Sequence, residues 1–347
     1  MKWTPGTMAL VTAASFVTLI AVGLGYVVHA EPDVADLTVG QPRATATSAS
    51  PATEAATRPA PGFSVTLTAK PTPTAKPKPK KPKPTKKKEP EPPPIVDFTL
   101  SSFNVLGSSH TSGSGKRPGM ASGRTRVGRA VDLMRRHGSD VVGFQELQGD
   151  QLATLQRRTG WQFHPGFSLR ARDTENSIGW DPSMWVAVER HTIDIPYFDG
   201  NRRPMPYVKL RHTTTGVEAW FANFHNPADT NAFPNQQRYR DRATAIEVDL
   251  ANRLIRGTGL PVFITGDMNE REEYFCRMTG GAPMIAARGG SNVGGCQPGN
   301  PRAVDWIFGS QGVTFSGYFE DRGSLVDRIT DHPVIVSRVR ITGEAPD

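Results

Sequence analysis

The stretch LPVFITGDMN (residues 260–269) decides how the rest of the sequence is interpreted. Its first part is a short apolar run rich in β-branched and aromatic residues, which predicts a buried strand. The run ends in Asp267 and Asn269, polar side chains that a core does not tolerate without partners. An apolar strand that stops at a carboxylate is typical of a catalytic cleft at the end of a sheet.

Similar apolar runs, bounded by turn signals, predict ten strands along the chain. They are FTLSSFNVL (98–106), DVVGFQEL (140–147), SIGWD (177–181), MWVAVERHTI (184–193), MPYVKLRHT (205–213), VEAWFANFH (217–225), LPVFITGDM (260–268), AVDWIFG (303–309), VTFSGYF (313–319) and PVIVSRVRI (333–341). Helical spacing occurs in RTRVGRAVDLMRRHG (124–138) and in QQRYRDRATAIEVDLANRLIRG (236–257), each ahead of a buried strand. Ten strands are too many for one doubly wound sheet. We therefore expect two sheets packed face to face with helices outside.

The first 30 residues have the pattern of a transmembrane or signal helix. The 23 residues from Met8 to Ala30 are almost all apolar or small, and at about 1.5 Å per residue they match a hydrocarbon core of roughly 30 Å. Lys2 precedes the run and acidic residues follow it, which places the amino terminus inside. Val28-His29-Ala30 also fits a signal peptidase site, so a retained anchor, which we favour, and secretion after cleavage near Ala30 both stay open. Either way we expect an extracytoplasmic protein.

Residues 31–95 predict a disordered linker, and residues 96–347 form the expected catalytic domain. Residues 71–94 contain 10 Pro and 8 Lys, a composition that forms extended, self-repelling chain. This Lys/Pro linker is either a plain spacer or a contact for anionic envelope polymers, lipid headgroups or nucleic acid. Residues 1–96 hold 12 Lys+Arg against 6 Asp+Glu, whereas the remainder holds 29 against 27. The net charge of +8 therefore says little about nucleic-acid binding by the catalytic domain. We expect a monomer.

The two cysteines, Cys276 and Cys296, both follow the predicted transmembrane or signal helix in residues 1–30. We therefore expect them in a compartment where disulfides persist. A bridge would close a glycine-rich loop of about 20 residues and stabilise it by roughly 3 kcal/mol. Two free buried thiols are the alternative. With no histidine nearby, the pair does not make a structural zinc site.

Polar side chains lie at or next to the ends of several of these apolar strands. They are Asn104, Glu146, His225, Asn226, Asp267, Asn269, Asp305, Asp331 and His332. Oxygen ligands without cysteine suit Mg²⁺, Mn²⁺ or Ca²⁺, and two histidines can move protons near neutral pH. This combination predicts metal-dependent phosphoester chemistry.

In the order of their motifs these residues resemble the endonuclease/exonuclease/phosphatase superfamily, which has the DNase I-like fold. The motifs are FNVL, FQEL, FANFHN, ITGDMN, DWIFGS and TDHPVIV, spread from Phe98 to Ile341. The resemblance implies an α/β fold, a four-layer α/β/β/α sandwich, which agrees with the strand count. It also implies a hydrolase that cleaves phosphoesters with Mg²⁺ or another divalent ion.

Residue roles carry over from the resemblance position by position. Glu146 and Asp331 match metal-binding residues, with Thr330 in place of the serine of the closing motif, and Asn104 matches an asparagine that helps to hold metal or phosphate. Asp267 and Asn269 match the pair that orients water and contacts phosphate. His332 matches a catalytic histidine paired with an aspartate, here Asp305. His225 matches the second catalytic histidine.

The residue that supports His225 in nuclease members falls on ENSIGWDP, where Glu175 and Asn176 are both open and Asn176 is preferred. We also assign substrate binding to Asn176, Asn226 and Arg124. Arg124 lies in the loop 107–126, which also offers Lys116, Arg117 and Arg126 to phosphates. These cations favour a polyanion, so a nuclease is the first hypothesis. A phosphatase or sphingomyelinase-like lipid phosphodiesterase and a non-catalytic binding module on a stalk are the alternatives.

Overall fold

The computed structural model of the protein describes residues 92–113, 116–299 and 301–343. The predicted helix in residues 1–30 and residues 31–91 of the predicted linker lie outside this described part. No helix in the described ranges is both long enough and apolar enough to cross a bilayer. The first strand begins at Ile95, one residue before the predicted start of the catalytic domain.

The described ranges contain twelve strands and four α-helices. The strands are β1 (Ile95–Asn104), β2 (Val141–Gln145), β3 (Gln162–His164), β4 (Ile178–Trp180), β5 (Trp185–Pro196), β6 (Arg202–His212), β7 (Glu218–His225), β8 (Val262–Asp267), β9 (Met284–Ala286), β10 (Asp305–Ser310), β11 (Thr314–Asp321) and β12 (Val334–Thr342). The helices are α1 (Gly123–His137), α2 (Gly149–Thr159), α3 (Gln237–Thr258) and α4 (Glu272–Gly281).

The strands form two six-stranded sheets. The first has the order β11-β12-β1-β2-β4-β3, and the second has the order β5-β6-β7-β8-β10-β9. Each sheet is mixed, because β1 and β2 are parallel, as are β7 and β8, whereas their other neighbours are antiparallel. Antiparallel neighbours allow short connections, whereas each parallel pair is joined through a helix, α1 or α3.

Three apolar clusters hold the layers together, which confirms the four-layer α/β/β/α order. Between the sheets, Phe98 packs edge-on against Phe221 and Phe263, with ring centroids 5.8 and 5.5 Å apart. A second cluster lies between the first sheet and α1 and α2, and it includes Val127. The third lies between the second sheet and α3 and α4, and it includes Leu250. Burial of this apolar surface is the main stabilising term for such a sandwich.

All ten predicted strands and both predicted helices are present, with ends shifted by a few residues. Gly138 ends α1 in the left-handed conformation, with φ of 62°, as its position after the apolar periodicity predicts. Sequence patterns missed β3, β9, α2 and α4. The two strands have three residues each, and the two helices have only 11 and 10, so their apolar positions are too few to show a period.

Cys276, in α4, is bonded to Cys296 in the loop that follows β9. The predicted disulfide is therefore confirmed. It ties the glycine-rich segment after β9 to a helix that packs on the second sheet.

Candidate active site

The strand register brings the predicted polar residues to one edge of the sandwich. In the first sheet, Asn104 at the end of β1 lies beside Gln145 at the end of β2, and Glu146 follows directly. In the second sheet, Asp267 pairs with His225 of β7 on one side and with Asp305 of β10 on the other. Parallel strands end at the same edge, so both sheets deliver their terminal polar groups to a common hollow.

Asn104 joins the two sheets at this hollow. Its amide nitrogen donates to Glu146 Oε1 at 2.9 Å and to Asp267 Oδ2 at 3.1 Å. Its amide oxygen accepts the backbone N–H of Leu106 at 3.0 Å. Because the Asn104 side chain is fully buried and its contacts reach both carboxylates, it fixes the spacing between Glu146 and Asp267.

Glu146 lies just past β2 with a φ of 57°, a conformation that costs energy in a residue with a Cβ and recurs at functional sites. Its Oε2 accepts the Gly107 N–H at 3.0 Å and lies 3.2 Å from His110 Nε2. Burial opposes the carboxylate, but the contacts with His110, Gly107 and Asn104 outweigh it and lower the pKa of Glu146. Sequence patterns gave no signal for His110, which lies in the loop after β1.

Asp267 occupies the centre of the site and has a histidine on each side. His225 Nε2 and His332 Nε2 each lie 3.6 Å from its Oδ2. Its Oδ1 accepts the backbone N–H of Asn269 at 3.1 Å. Asn269, with a φ of 51°, also donates its side-chain amide to the Asn226 carbonyl at 2.8 Å. The loops after β7 and β8 therefore hold each other in place.

His332 is paired with Asp305, as the sequence predicts. Its Nδ1 lies 3.1 Å from both carboxylate oxygens of Asp305, which is buried. Burial disfavours the imidazolium, but the charges of Asp305 and Asp267 outweigh it and raise the pKa of His332 to about 10. The structure therefore favours a protonated His332 at neutral pH, held between two carboxylates.

His225 has a different partner from the one that the sequence suggests. Its Nδ1 lies 3.4 Å from the hydroxyl oxygen of Tyr197, in the turn between β5 and β6. Glu175 is instead bound to Arg203 and Gln148. Asn176 is buried, and its amide oxygen has no hydrogen-bond partner in the described part of the chain. Support of His225 by Glu175 or Asn176 is thus not what the contacts show.

Asn226 and Arg124, assigned to substrate binding, lie in contrasting places. Asn226 is fully buried, and its side chain faces the Glu247 carboxyl group of α3 rather than solvent. Its backbone N–H donates to the Asp267 carbonyl at 2.9 Å, so its visible role is to shape the loop. Arg124 is exposed at the start of α1, 3.8 Å from Asp150. Its contact with substrate stays a prediction.

Arg126 is not available for phosphates, because its side chain is fully buried. Its guanidinium donates to the carbonyls of Val105 and Ile329 at 2.7 Å and to Gly107 at 3.2 Å. These contacts join the loop after β1, whose Gly107 N–H contacts Glu146, to the segment that leads into His332. The sequence pattern could not separate this buried arginine from its exposed neighbours, since both occur in the same basic loop.

The donor chemistry of the site fits a hard divalent cation. Carboxylate or amide oxygens of Asn104, Glu146, Asp267, Asp305 and Asp331 come from chain segments that meet at this edge, and the two cysteines are bridged elsewhere. One donor atom each of Asp267, Asp305 and His332 lies within 4.8 Å of the others, a spacing that allows the three to hold one ion. Asp331 is paired with Arg117. Oxygen-rich sets of this kind suit Mg²⁺, Mn²⁺ or Ca²⁺ rather than zinc.

The sequence matches the model of the endonuclease/exonuclease/phosphatase family over residues 101–332. The chain belongs to this family. No curated protein sequence is similar to it at a significant level. Among solved structures, the human Nocturnin catalytic domain with bound sulfate is similar with a TM-score of 0.53 and 15% identity. That alignment covers 72% of this chain and 99% of the Nocturnin chain.

Two further solved structures show the same endonuclease/exonuclease/phosphatase fold. The mannosyl-6-phosphatase Bt3783 of Bacteroides thetaiotaomicron has a TM-score of 0.54 and 16% identity, over 70% of this chain and 99% of its own. A humanized TDP2 of D. rerio has a TM-score of 0.51 and 16% identity, over 70% and 98%. At such identities the likeness shows the fold alone. The family assignment makes the chain one of a group of phosphoester hydrolases.

Proposed function

We propose that the chain is a divalent-metal-dependent phosphodiesterase that acts outside the cytoplasm and prefers nucleic acid. The observation that supports this best is the position of Asp267. Its carboxylate lies between the Nε2 atoms of His225 and His332, each 3.6 Å away, and is joined to Glu146 through the Asn104 amide. An acceptor, two imidazoles and a second carboxylate thus surround one hollow.

The residues divide the work of phosphoester hydrolysis among them. Asp267 accepts a hydrogen bond from the attacking water and orients it, and Asn269 holds Asp267 in place. Protonated His332 donates to a phosphate oxygen and stabilises the charge that develops there. Glu146, with Asp331, would hold the divalent ion, which supplies further charge stabilisation when bound, and Asn104 keeps Glu146 in place. His225 is the second donor to the phosphate or to the leaving oxygen.

An open groove next to the site favours an extended substrate. It has a volume of about 610 Å³ and is lined by residues 118–121 together with Arg129, Asp327 and Arg328. Arg117, which precedes it, contacts Asp331. Arg129 and Arg328 line this groove and Arg117 lies directly before it, and such a set of cations suits a chain of phosphates better than a single small phosphate.

The disulfide supports an extracytoplasmic location. Cys276 and Cys296 are bonded, and disulfides persist in oxidising compartments and are rare in the cytosol of mesophiles. The apolar segment Met8–Ala30 agrees with this location, either as a membrane anchor or as a cleaved signal.

A phosphatase is the second candidate, since the mannosyl-6-phosphatase Bt3783 has the same fold. The catalytic residues alone do not select among phosphoesters of different alcohols, because charge stabilisation acts on the phosphoryl group. The groove beside them is what favours the diester. A lipid phosphodiesterase would use the same hollow.

The decisive experiment compares substrates on the full chain with Mg²⁺, Mn²⁺ or Ca²⁺. The substrates are plasmid DNA, RNA, sphingomyelin vesicles and mannose 6-phosphate, with a chelator as the metal-free arm. We expect cleavage of nucleic acid that needs the metal. Glu146→Gln keeps the size of the side chain and should lower kcat/KM by about 10³-fold or more, since it removes charge from the metal site.

The matched control is Glu189→Gln, which changes a partly exposed glutamate of β5 paired with Lys209. It should leave activity unchanged. Full activity in Glu146→Gln would contradict the proposed mechanism, in which Glu146 binds the divalent ion. Turnover of mannose 6-phosphate or sphingomyelin without turnover of DNA or RNA would replace the nuclease proposal with one of its alternatives.

A further inference from the structure

His225 needs a partner on Nδ1, because a neutral imidazole carries only one proton and the partner decides which nitrogen has it. The contact at Nδ1 is the Tyr197 hydroxyl, 3.4 Å away. The Tyr197 ring also meets the imidazole ring edge-on, with centroids 5.7 Å apart. Tyr197 therefore touches His225 both through its hydroxyl and through its ring.

The direction of this hydrogen bond follows from the other side of the imidazole. His225 Nε2 faces the Asp267 carboxylate at 3.6 Å, and an ionised carboxylate only accepts hydrogen bonds. A lone pair on Nε2 would be repelled by that carboxylate, so the neutral ring carries its proton on Nε2. Nδ1 is then an acceptor, and Tyr197 is the donor.

Tyr197 is itself held in place by its neighbours. The Arg203 guanidinium carbon lies 5.2 Å from the centroid of its ring, within the range of a cation–π contact. Arg203 is in turn bound to Glu175 and donates to the Arg172 carbonyl at 2.6 Å. Phe198 packs edge-on against the tyrosine ring, with centroids 4.5 Å apart. The residues Glu175, Arg203, Tyr197 and His225 thus form a continuous set of contacts.

We propose that Tyr197 is a positioning residue that, together with Asp267 at Nε2, holds His225 in the Nε2–H tautomer by donating its hydroxyl to Nδ1. This rests on the proposed function for its catalytic consequence, since the Nε2–H then points to Asp267 and to the space where phosphate would bind. Glu175 contributes indirectly, through Arg203. An uncharged donor orients the neutral ring without adding the charge that Asp305 adds behind His332.

The first test needs no variant of Tyr197. The full chain, labelled with ¹⁵N in its histidine rings, is measured by NMR at about pH 9, well above the usual histidine pKa. A His225→Gln spectrum identifies the His225 signals by difference. We expect a protonated Nε2 and an unprotonated, hydrogen-bonded Nδ1. A His225 ring protonated on Nδ1 overturns the proposal, whether or not the chain has nuclease activity.

The second test is Tyr197→Phe, which keeps the ring on Arg203 and removes only the hydroxyl. We expect a larger Nδ1–H fraction at His225 and a fall in kcat of about 5- to 10-fold, the size expected for one lost hydrogen bond, with KM unchanged. Tyr207→Phe is the matched control. The Tyr207 ring stacks on the His191 ring, with centroids 5.0 Å apart, and neither residue belongs to the site. This variant should change neither measurement.

The two readouts separate failure of this proposal from failure of the proposed function. An unchanged tautomer in Tyr197→Phe overturns the positioning role even if kcat falls. A changed tautomer with unchanged kcat on DNA or RNA overturns its catalytic consequence. If the wild-type chain cleaves none of the phosphoesters, the proposed function fails, and the NMR spectra still decide which residue sets the tautomer.

Discussion

The two histidines of the site are equally far from Asp267 but differ in what lies behind them. Behind His332 is Asp305, a buried carboxylate that contacts Nδ1 through both oxygens at 3.1 Å. Behind His225 is Tyr197, an uncharged hydroxyl 3.4 Å from Nδ1. A carboxylate stabilises the imidazolium, whereas a hydroxyl mainly fixes which nitrogen of a neutral ring carries the proton. One edge of the sandwich can therefore hold two imidazoles with different tasks.

The largest effect should come from removing the charged member of this pair of histidines. His332→Ala should lower kcat/KM by about 10⁴-fold, since it removes a cation aimed at the phosphate. His225→Ala should lower it by only about 10²-fold, the size of a single acid or donor contribution. Both are measured on the substrate that the wild-type chain cleaves best.

His191→Ala is the control for these two variants, because His191 is an exposed residue of β5 paired with Glu189. It should keep full activity. Equal losses in His332→Ala and His225→Ala would show that the two histidines do not differ in the way their partners suggest.

Asp305→Asn should lower kcat/KM by about 10³-fold, because an amide cannot hold the imidazolium as a carboxylate does. The raised pKa of His332 also predicts a pH dependence of stability. The contribution of protonated His332 to the free energy of unfolding is complete below about pH 6.5. It is lost as the pH rises through the folded-state pKa of about 10. In Asp305→Asn this loss should move to lower pH, as measured by urea unfolding between about pH 6 and pH 10.

Asp321→Asn is a control of the same chemistry. Asp321 Oδ2 pairs with His137 Nε2 of α1 at 2.8 Å, and His137 is not one of the site residues. This variant should reduce stability but leave kcat/KM unchanged. An equal loss of activity in both variants would mean that Asp305 acts through general stability.

Glu247→Gln sharpens the description of the His225 half of the site, where Glu247 faces Asn226, the residue after His225. Glu247, in α3, is fully buried, and its Oε2 accepts the Tyr274 hydroxyl at 2.6 Å. Burial raises its pKa to about 7, above its unfolded value of 4.5. The wild-type chain therefore loses stability as the pH rises from 4.5 through 7, by on the order of 3 kcal/mol.

In Glu247→Gln this pH-dependent loss should disappear, so the variant should be more stable than wild type at about pH 8 but not at about pH 5. Urea unfolding at both pH values measures it. Glu273→Gln, at an exposed position of α4, is the control and should change neither value. A Glu247→Gln variant that is less stable than wild type at the higher pH would show that the folded chain needs the Glu247 carboxylate.

Much of the site could be predicted because its residues follow a strand in sequence. Asn104, Glu146 and Asp267 each come at the end of an apolar run, and the structure brings both carboxylates within hydrogen-bond distance of the Asn104 amide. The predicted pairing of His332 with Asp305 is also seen. These assignments needed only the direction of the strands and the order of the motifs.

Other parts of the site depend on contacts between distant segments. Tyr197 lies in a turn between two strands, and His110 in a loop whose composition indicates only flexibility. Arg126 lies two residues after Arg124 in the same basic stretch. What distinguishes Arg126 from the exposed Arg124 is its burial beneath the loop after β1. Neither local propensity nor charge pattern contains that information.

The sequence by itself determined the alternation of apolar runs with terminal carboxylates, and hence two sheets whose polar ends meet, because side-chain periodicity and burial are local properties of the chain. Only the tertiary structure decided which group stands behind each histidine. Asp305 and His332 are 27 residues apart in sequence, and Tyr197 and His225 are 28 apart. Only folding brings the members of each pair into contact. The charge of one imidazole and the tautomer of the other follow from those contacts.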